Sequence, residues 1–119
     1  MQPRIAVVIP CLNERQTIGK VVDDFRRALP QAQIYVFDNM SGDGSAEVAA
    51  EHGAVVQKVK LRGKGQVVAR MMEQVPADIH LMADGDDTYP AEAAPRLIQP
   101  LLDEQADMVV GTRLRRHSD

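Results

Sequence analysis

The densest chemistry in the sequence lies in LMADGDDTYP, where an apolar run gives way to Asp84, Gly85, Asp86 and Asp87 with no basic residue among them. Carboxylates packed this closely repel one another, and a bound cation relieves that repulsion. Asp84 and Asp86 lie two apart, so on extended backbone they point the same way and can share one ion. A hard divalent ion, Mg2+ or Mn2+, suits such oxygen donors and often completes its shell with substrate phosphates. The local alternative is a solvated acidic turn in which Asp87 or Thr88 caps the next helix.

Three further segments could act with this cluster. In FDNMSGDGSAE, Asp38 closes an apolar run and could accept hydrogen bonds from a ribose hydroxyl or a base N–H. An Asx-turn at Asp38 is the alternative, and Asp43 or Ser45 is expected to cap the helix that follows. In LRGKGQ, Arg62 and Lys64 flank a glycine at a helix start and would attract a phosphate, unless the segment is a plain turn. In IPCLNE, Pro10 is expected to end a strand, Asn13 to cap a helix and Glu14 to sit in its first turn, with Cys11 a small loop residue. Arg113, in GTRLRR, could face a phosphate or simply solvate the chain. His52, His80 and His117 lack ligand spacing; His80 reads as a strand residue and the others as surface.

These segments need elements to position them. Short apolar runs at 5–9, 33–37, 54–59, 79–83 and 108–111 read as strands buried on both faces. Between them, Ile18, Val21, Val22, Phe25, Ala28 and Leu29 recur at helical spacing, with Pro30 after the end. A second helix is expected from Ser45 to His52 with Gly53 as its terminator. A third takes Val67, Val68, Met71, Met72 and Val75 inward. A fourth, around 92–104, is interrupted by Pro95 and Pro100. The alternation predicts an α/β fold, a mostly parallel sheet with helices on both faces and ligands at the carboxyl ends of the strands. Residues 1–119 read as one domain.

Bulk properties narrow the function classes. The formal charge of −3 offers no field for nucleic acid or anionic lipid, so an anionic ligand would need local cations or a metal. A single cysteine excludes an internal disulfide. No apolar run reaches the roughly 18 residues of a membrane span, so the stretch is expected to be cytoplasmic. A receiver domain would need acids after the first strand and a lysine after the fifth; Pro10-Cys11 and Thr112-Arg113 do not fit. A nucleotidyltransferase or dinucleotide dehydrogenase would need a glycine-rich loop after the first strand, which is absent.

Taken in order, VVIPCLNE, DNMSGDGS, RGKG, DGDDTYP and GTR resemble the family 2 glycosyltransferases, and bacterial members similar to dolichyl- or polyprenyl-phosphate sugar transferases in particular. The resemblance implies a GT-A, Rossmann-like nucleotide-sugar-binding fold and an inverting, metal-dependent sugar transfer from a nucleotide diphosphate sugar. It implies that Pro10, Asn13, Glu14, Asp38, Lys64, Asp84, Gly85 and Arg113 hold the donor. Asp84 and Asp86 match the Asp-x-Asp metal motif. It also implies a polyprenyl phosphate as the acceptor and, for the full-length protein, a place at the inner face of the membrane. The chain departs from the family where Leu12 replaces a frequent aromatic and Asn39 and Met40 replace an acid and a small residue. Family domains continue into an acceptor-binding half, so the catalytic base is expected outside this chain. One face of the sheet is then expected to expose apolar surface that favours self-association. The alternative from another class is a non-catalytic nucleotide-sugar-binding module or truncated remnant of the same fold.

Overall fold

The computed structural model describes residues 4–60, 63–88, 90–104 and 108–110. Five strands, β1 (Ile5–Cys11), β2 (Gln33–Asp38), β3 (Val55–Lys58), β4 (Ile79–Met82) and β5 (Met108–Val110), form one sheet in the order β3-β2-β1-β4-β5. Every pairing is parallel. The connections contain α1 (Arg15–Ala28), α2 (Ser45–Glu51), α3 (Gly63–Gln74) and α4 (Ala94–Glu104), the last entered through a 3-10 turn at Ala91–Ala93.

All seven residues of β1 are buried because helices cover both of its faces. Ile5, Val7 and Ile9 pack with Ile18, Val22 and Phe25 of α1, Ala49 of α2 and Ile98 of α4. Ala6 and Val8 turn the other way, onto Val67 and Met71 of α3, joined by Phe37, Val75 and Met82. The second face therefore rests on α3 over β1 and β4, while at the edge strand β3 Val55 and Gln57 are exposed rather than buried on both sides as expected. The large apolar side chains exposed among the described residues are Leu12, Met40 and Val55, two of them on strand-end loops.

Three local expectations change and one holds. Pro10 does not end β1; it pairs with Phe37, and the strand runs on to Cys11. The Cys11 carbonyl accepts from the Asn39 amide on the β2 side, and the Val8 carbonyl accepts from the Ala83 amide on the β4 side. By alternation, the Pro10 nitrogen faces β4, where pairing has already stopped at Val8 and Met82, so no ladder donor is lost. Pro95 is the second residue of α4, where an amide has no intrahelical partner, and the helix runs on through Pro100. Gly53 ends α2 as expected, in the left-handed region at φ 100°. His52 is not a plain surface residue: its Nδ1 lies 2.9 Å from an Asp23 carboxylate oxygen on α1.

The order of strands reverses between β1 and β4. There the two connections leave in opposite directions and the carboxyl ends part, opening a crevice.

Candidate functional site

The crevice is a cleft of about 260 Å³ lined by Pro10, Cys11, Leu12, Glu14, Asn39, Val67, Asp84 and Asp86. Each comes from a strand end or from α3, as the topology requires. Among the described lining residues there are three carboxylates and no cation. The field shows on Cys11: burial, reinforced by the charges of Glu14 and Asp38, pushes its thiol up to about 12. A phosphate-bearing ligand can settle against such a wall only with a positive charge between.

Asp38, at the end of β2, is 2% exposed. One carboxylate oxygen, Oδ2, accepts from the Ser41 amide at 3.2 Å, three residues on, where the expected Asx-turn would bond the amide two residues on. The other, Oδ1, is buried with no hydrogen-bond partner. A buried acceptor left in this state costs roughly 1–3 kcal/mol, which a ligand hydroxyl or N–H would recover. One oxygen of Asp38 thus holds the local loop, and the other is buried without a partner.

Asp84 and Asp86 reach the cleft by a different route from the expected one. β4 ends at Met82, and 85–86 form a turn, so the two residues do not share a direction along a strand. The turn brings both to the same wall instead. Asp84 is 8% exposed. Asp86 accepts from the Thr88 amide and hydroxyl through Oδ1 alone. Among the described residues no group of three or more His, Cys, Asp and Glu could cage a metal. Two carboxylates are the donor set of a Mg2+- or Mn2+-type ion that keeps its remaining positions for water and phosphate, so the residues fit a divalent ion shared with a ligand.

Asp87 does not point into this group: at φ 64°, it pairs with Lys20 of α1 at 3.1 Å. Thr17, also on α1, donates to the Gly85 carbonyl at 2.6 Å. Gly85 is buried against Glu14, where a Cβ would come within 2.7 Å of Glu14 Oε1 and 3.1 Å of Ile18 Cδ1. Glycine here allows the acidic turn to lie on the start of α1.

Asn13 is not the cap of α1. It adopts φ 53°, and its side-chain oxygen accepts from the Gly42 amide at 2.8 Å. The capping position is Glu14, which makes no side-chain cap of its own. Gly44 holds the capping position of α2, and Asp43 Oδ1 accepts the amide of Ser45, the first of that helix, at 3.0 Å; Asp43 and Ser45 also act across the loops. Asp43 Oδ2 accepts from the Arg15 amide at 3.1 Å and Ser45 Oγ from the Glu14 amide at 2.8 Å. Ser41 Oγ accepts from the Asn13 amide at 2.8 Å. Thr17, Lys20, Ser41 and the cross-loop role of Ser45 were not legible locally, because each partner is 28 or more residues away. Lys64 falls in the first turn of α3, with its side chain outside the described part; Arg62 and Arg113 lie outside the described residues.

Comparison with known proteins places this geometry. Residues 6–119 match the glycosyl transferase family 2 model. Protein RfbJ of Shigella flexneri is 57% identical over 109 residues, covering 92% of this chain and 84% of RfbJ. A dolichyl-phosphate hexose transferase of Haloferax volcanii is 31% identical over 116 residues, covering 97% of this chain and 50% of that protein. Among solved structures, glucosyl-3-phosphoglycerate synthase from Mycobacterium tuberculosis, in complex with Mn2+, uridine diphosphate and glucosyl-3-phosphoglycerate, superposes with a TM-score of 0.75 at 31% identity. The match covers 84% of this chain and 40% of that one. The chain thus spans most of RfbJ but half or less of the other two. With the strand order, the acidic cleft and the family match in agreement, the chain belongs to glycosyl transferase family 2.

Proposed function

We propose that the cleft binds a nucleotide diphosphate sugar together with a divalent ion, and that the whole protein transfers the sugar to an acceptor. The observation that carries this reading is the cleft itself: Glu14, Asp84 and Asp86 converge at the switch point between β1 and β4, where an α/β sheet receives its ligand. The complex of the related synthase with Mn2+ and uridine diphosphate supports a uridine nucleotide as the first probe.

Asp84 and Asp86 would hold the ion, which when bound supplies positive charge to the diphosphate as the sugar–phosphate bond breaks. Asp38 offers its buried Oδ1 to a ribose hydroxyl or base N–H. Pro10 and Glu14 form the wall between these ends, while Asn13 fixes the loop that carries Glu14. Lys64 and Arg113 are assigned to the diphosphate on motif position, and Gly85 to the turn that presents the two aspartates. An inverting transfer needs a base beside the attacking hydroxyl, and that role is assigned to the acceptor side, outside these residues. Similarity to the dolichyl-phosphate transferase supports a polyprenyl phosphate acceptor and hence action at the inner membrane face. No described helix is long and apolar enough to cross a membrane.

The test is a thermal-shift panel of nucleoside diphosphates and their sugars with Mn2+, Mg2+ or EDTA. At 100-fold excess over its dissociation constant, a donor should add roughly 2.7 kcal/mol of stability, and only with metal. Stabilisation by none of the panel would overturn the reading.

A further inference from the structure

We propose that Ser45, oriented by Asp43, is a positioning residue for the cleft: it acts through the backbone of Glu14 and does not touch the ligand. This rests on the donor-binding reading above.

Ser45 is fully buried at the start of α2, on a different crossover from Glu14. Its hydroxyl accepts the Glu14 amide hydrogen at 2.8 Å, so it must donate its own proton elsewhere. The Asp43 Oδ1 atom takes that proton and also the Ser45 amide hydrogen. The hydroxyl is thereby fixed in one orientation, with its lone pair towards Glu14. The other Asp43 oxygen holds the Arg15 amide, the first of α1. A carboxylate and a hydroxyl from the second crossover thus supply the cap that Glu14 does not supply to its own helix.

The consequence reaches the acidic turn. Glu14 lines the cleft, and its Oε1 lies so close to Gly85 that a Cβ there would come within 2.7 Å of it. Any shift of the Glu14 backbone moves a carboxylate that packs on the turn between Asp84 and Asp86. Ser45 therefore sets the distance between two walls that it does not itself line.

The test is a double-mutant cycle on uridine diphosphate binding with Mn2+, using Ser45→Ala and Glu14→Ala singly and together. Ser45→Ala should weaken binding about tenfold, the size of one lost hydrogen bond, while the variant still melts cooperatively. In the Glu14→Ala background, which keeps the amide but lacks the carboxylate, the same change should cost almost nothing. An equal loss in both backgrounds would make Ser45 merely structural, and no loss in either would also overturn the proposal. Should Ser45→Ala fail to fold, Asp43→Ala enters the same cycle with the same expectation, because it removes the acceptor that orients the hydroxyl and keeps the hydroxyl itself. If the parent chain binds no uridine diphosphate, the donor-binding reading fails first, before any variant is compared.

Discussion

On the β1–β2 side of the cleft, the amides of Asn13, Glu14 and Arg15 each end on a side chain of the neighbouring loop, namely Ser41, Ser45 and Asp43. Asn13 returns one bond to Gly42. On the β4 side, the acidic turn is tied to α1 by the Thr17 hydroxyl on Gly85 and by the exposed Lys20 on Asp87. The first side is built before a ligand arrives, with an unpartnered Asp38 oxygen inside it. The second carries mutually repelling carboxylates whose natural partner is a cation. In the proposed reading, one wall is preorganised for a neutral, hydrogen-bonding group and the other is completed by a bound cation.

If that contrast is right, the two walls fail differently. The largest effect is expected from Asp84→Ala, which should weaken uridine diphosphate by about 100-fold or more in Mn2+. Outer-shell partners of a metal alone are worth roughly 10–100-fold. In EDTA the variant and parent should bind equally poorly, and a variant with the parent's metal response would remove Asp84 from the site. Next, Asp38→Ala should weaken uridine monophosphate and diphosphate by a similar factor of about ten. A loss confined to the diphosphate, measured by calorimetric titration, would move Asp38 to the metal side and erase the contrast.

These two residues also show how far the sequence could be read. The strands were legible as short unbroken apolar runs and the helices from apolar residues at a period of 3.6, and the parallel order makes strand ends converge. Asp84 and Asp86 were found for a reason that does not hold, since a turn rather than extended backbone brings them together. Pro10 reads as a terminator until the alternation of β1 shows its nitrogen facing the open crevice. Asn13, Asp43 and Ser45 have the residue types of local caps, and local reasoning assigns them to their own helices. Apart from the bonds between Asp43 and Ser45 themselves, their partners lie across two crossovers, at separations of 28 to 31 residues, where periodicity carries no information.

Smaller effects sharpen the picture. Gly85→Ala forces its Cβ against Glu14 and Ile18 and should cost about 1 kcal/mol, the low end for overpacking. Because the nearer atom is the end of a flexible carboxylate, metal-dependent binding should fall even in protein that remains folded. Retained affinity would show that the walls do not share this contact. Smaller still is the response to acid. Hydrogen bonds, chiefly from Ser45, hold the Asp43 carboxyl below the usual carboxylate range. A depressed value means that its stabilisation is present above the unfolded value of about 4 and is lost as pH falls towards the folded one. Asp43→Asn should therefore flatten the acid limb of Tm against pH below about 4 and leave the slope at neutral pH unchanged. An unchanged acid limb would contradict the cross-loop role of this carboxylate.

The central claim is that this acidic cleft takes up an anionic nucleotide only through a divalent ion. Titrating the chain with uridine diphosphate and uridine monophosphate, each in Mn2+ and in EDTA, tests it most directly. The account predicts that Mn2+ strengthens the diphosphate strongly and the monophosphate little, leaving the two nearly equal in EDTA. Diphosphate binding that is equally tight with and without the metal would contradict it.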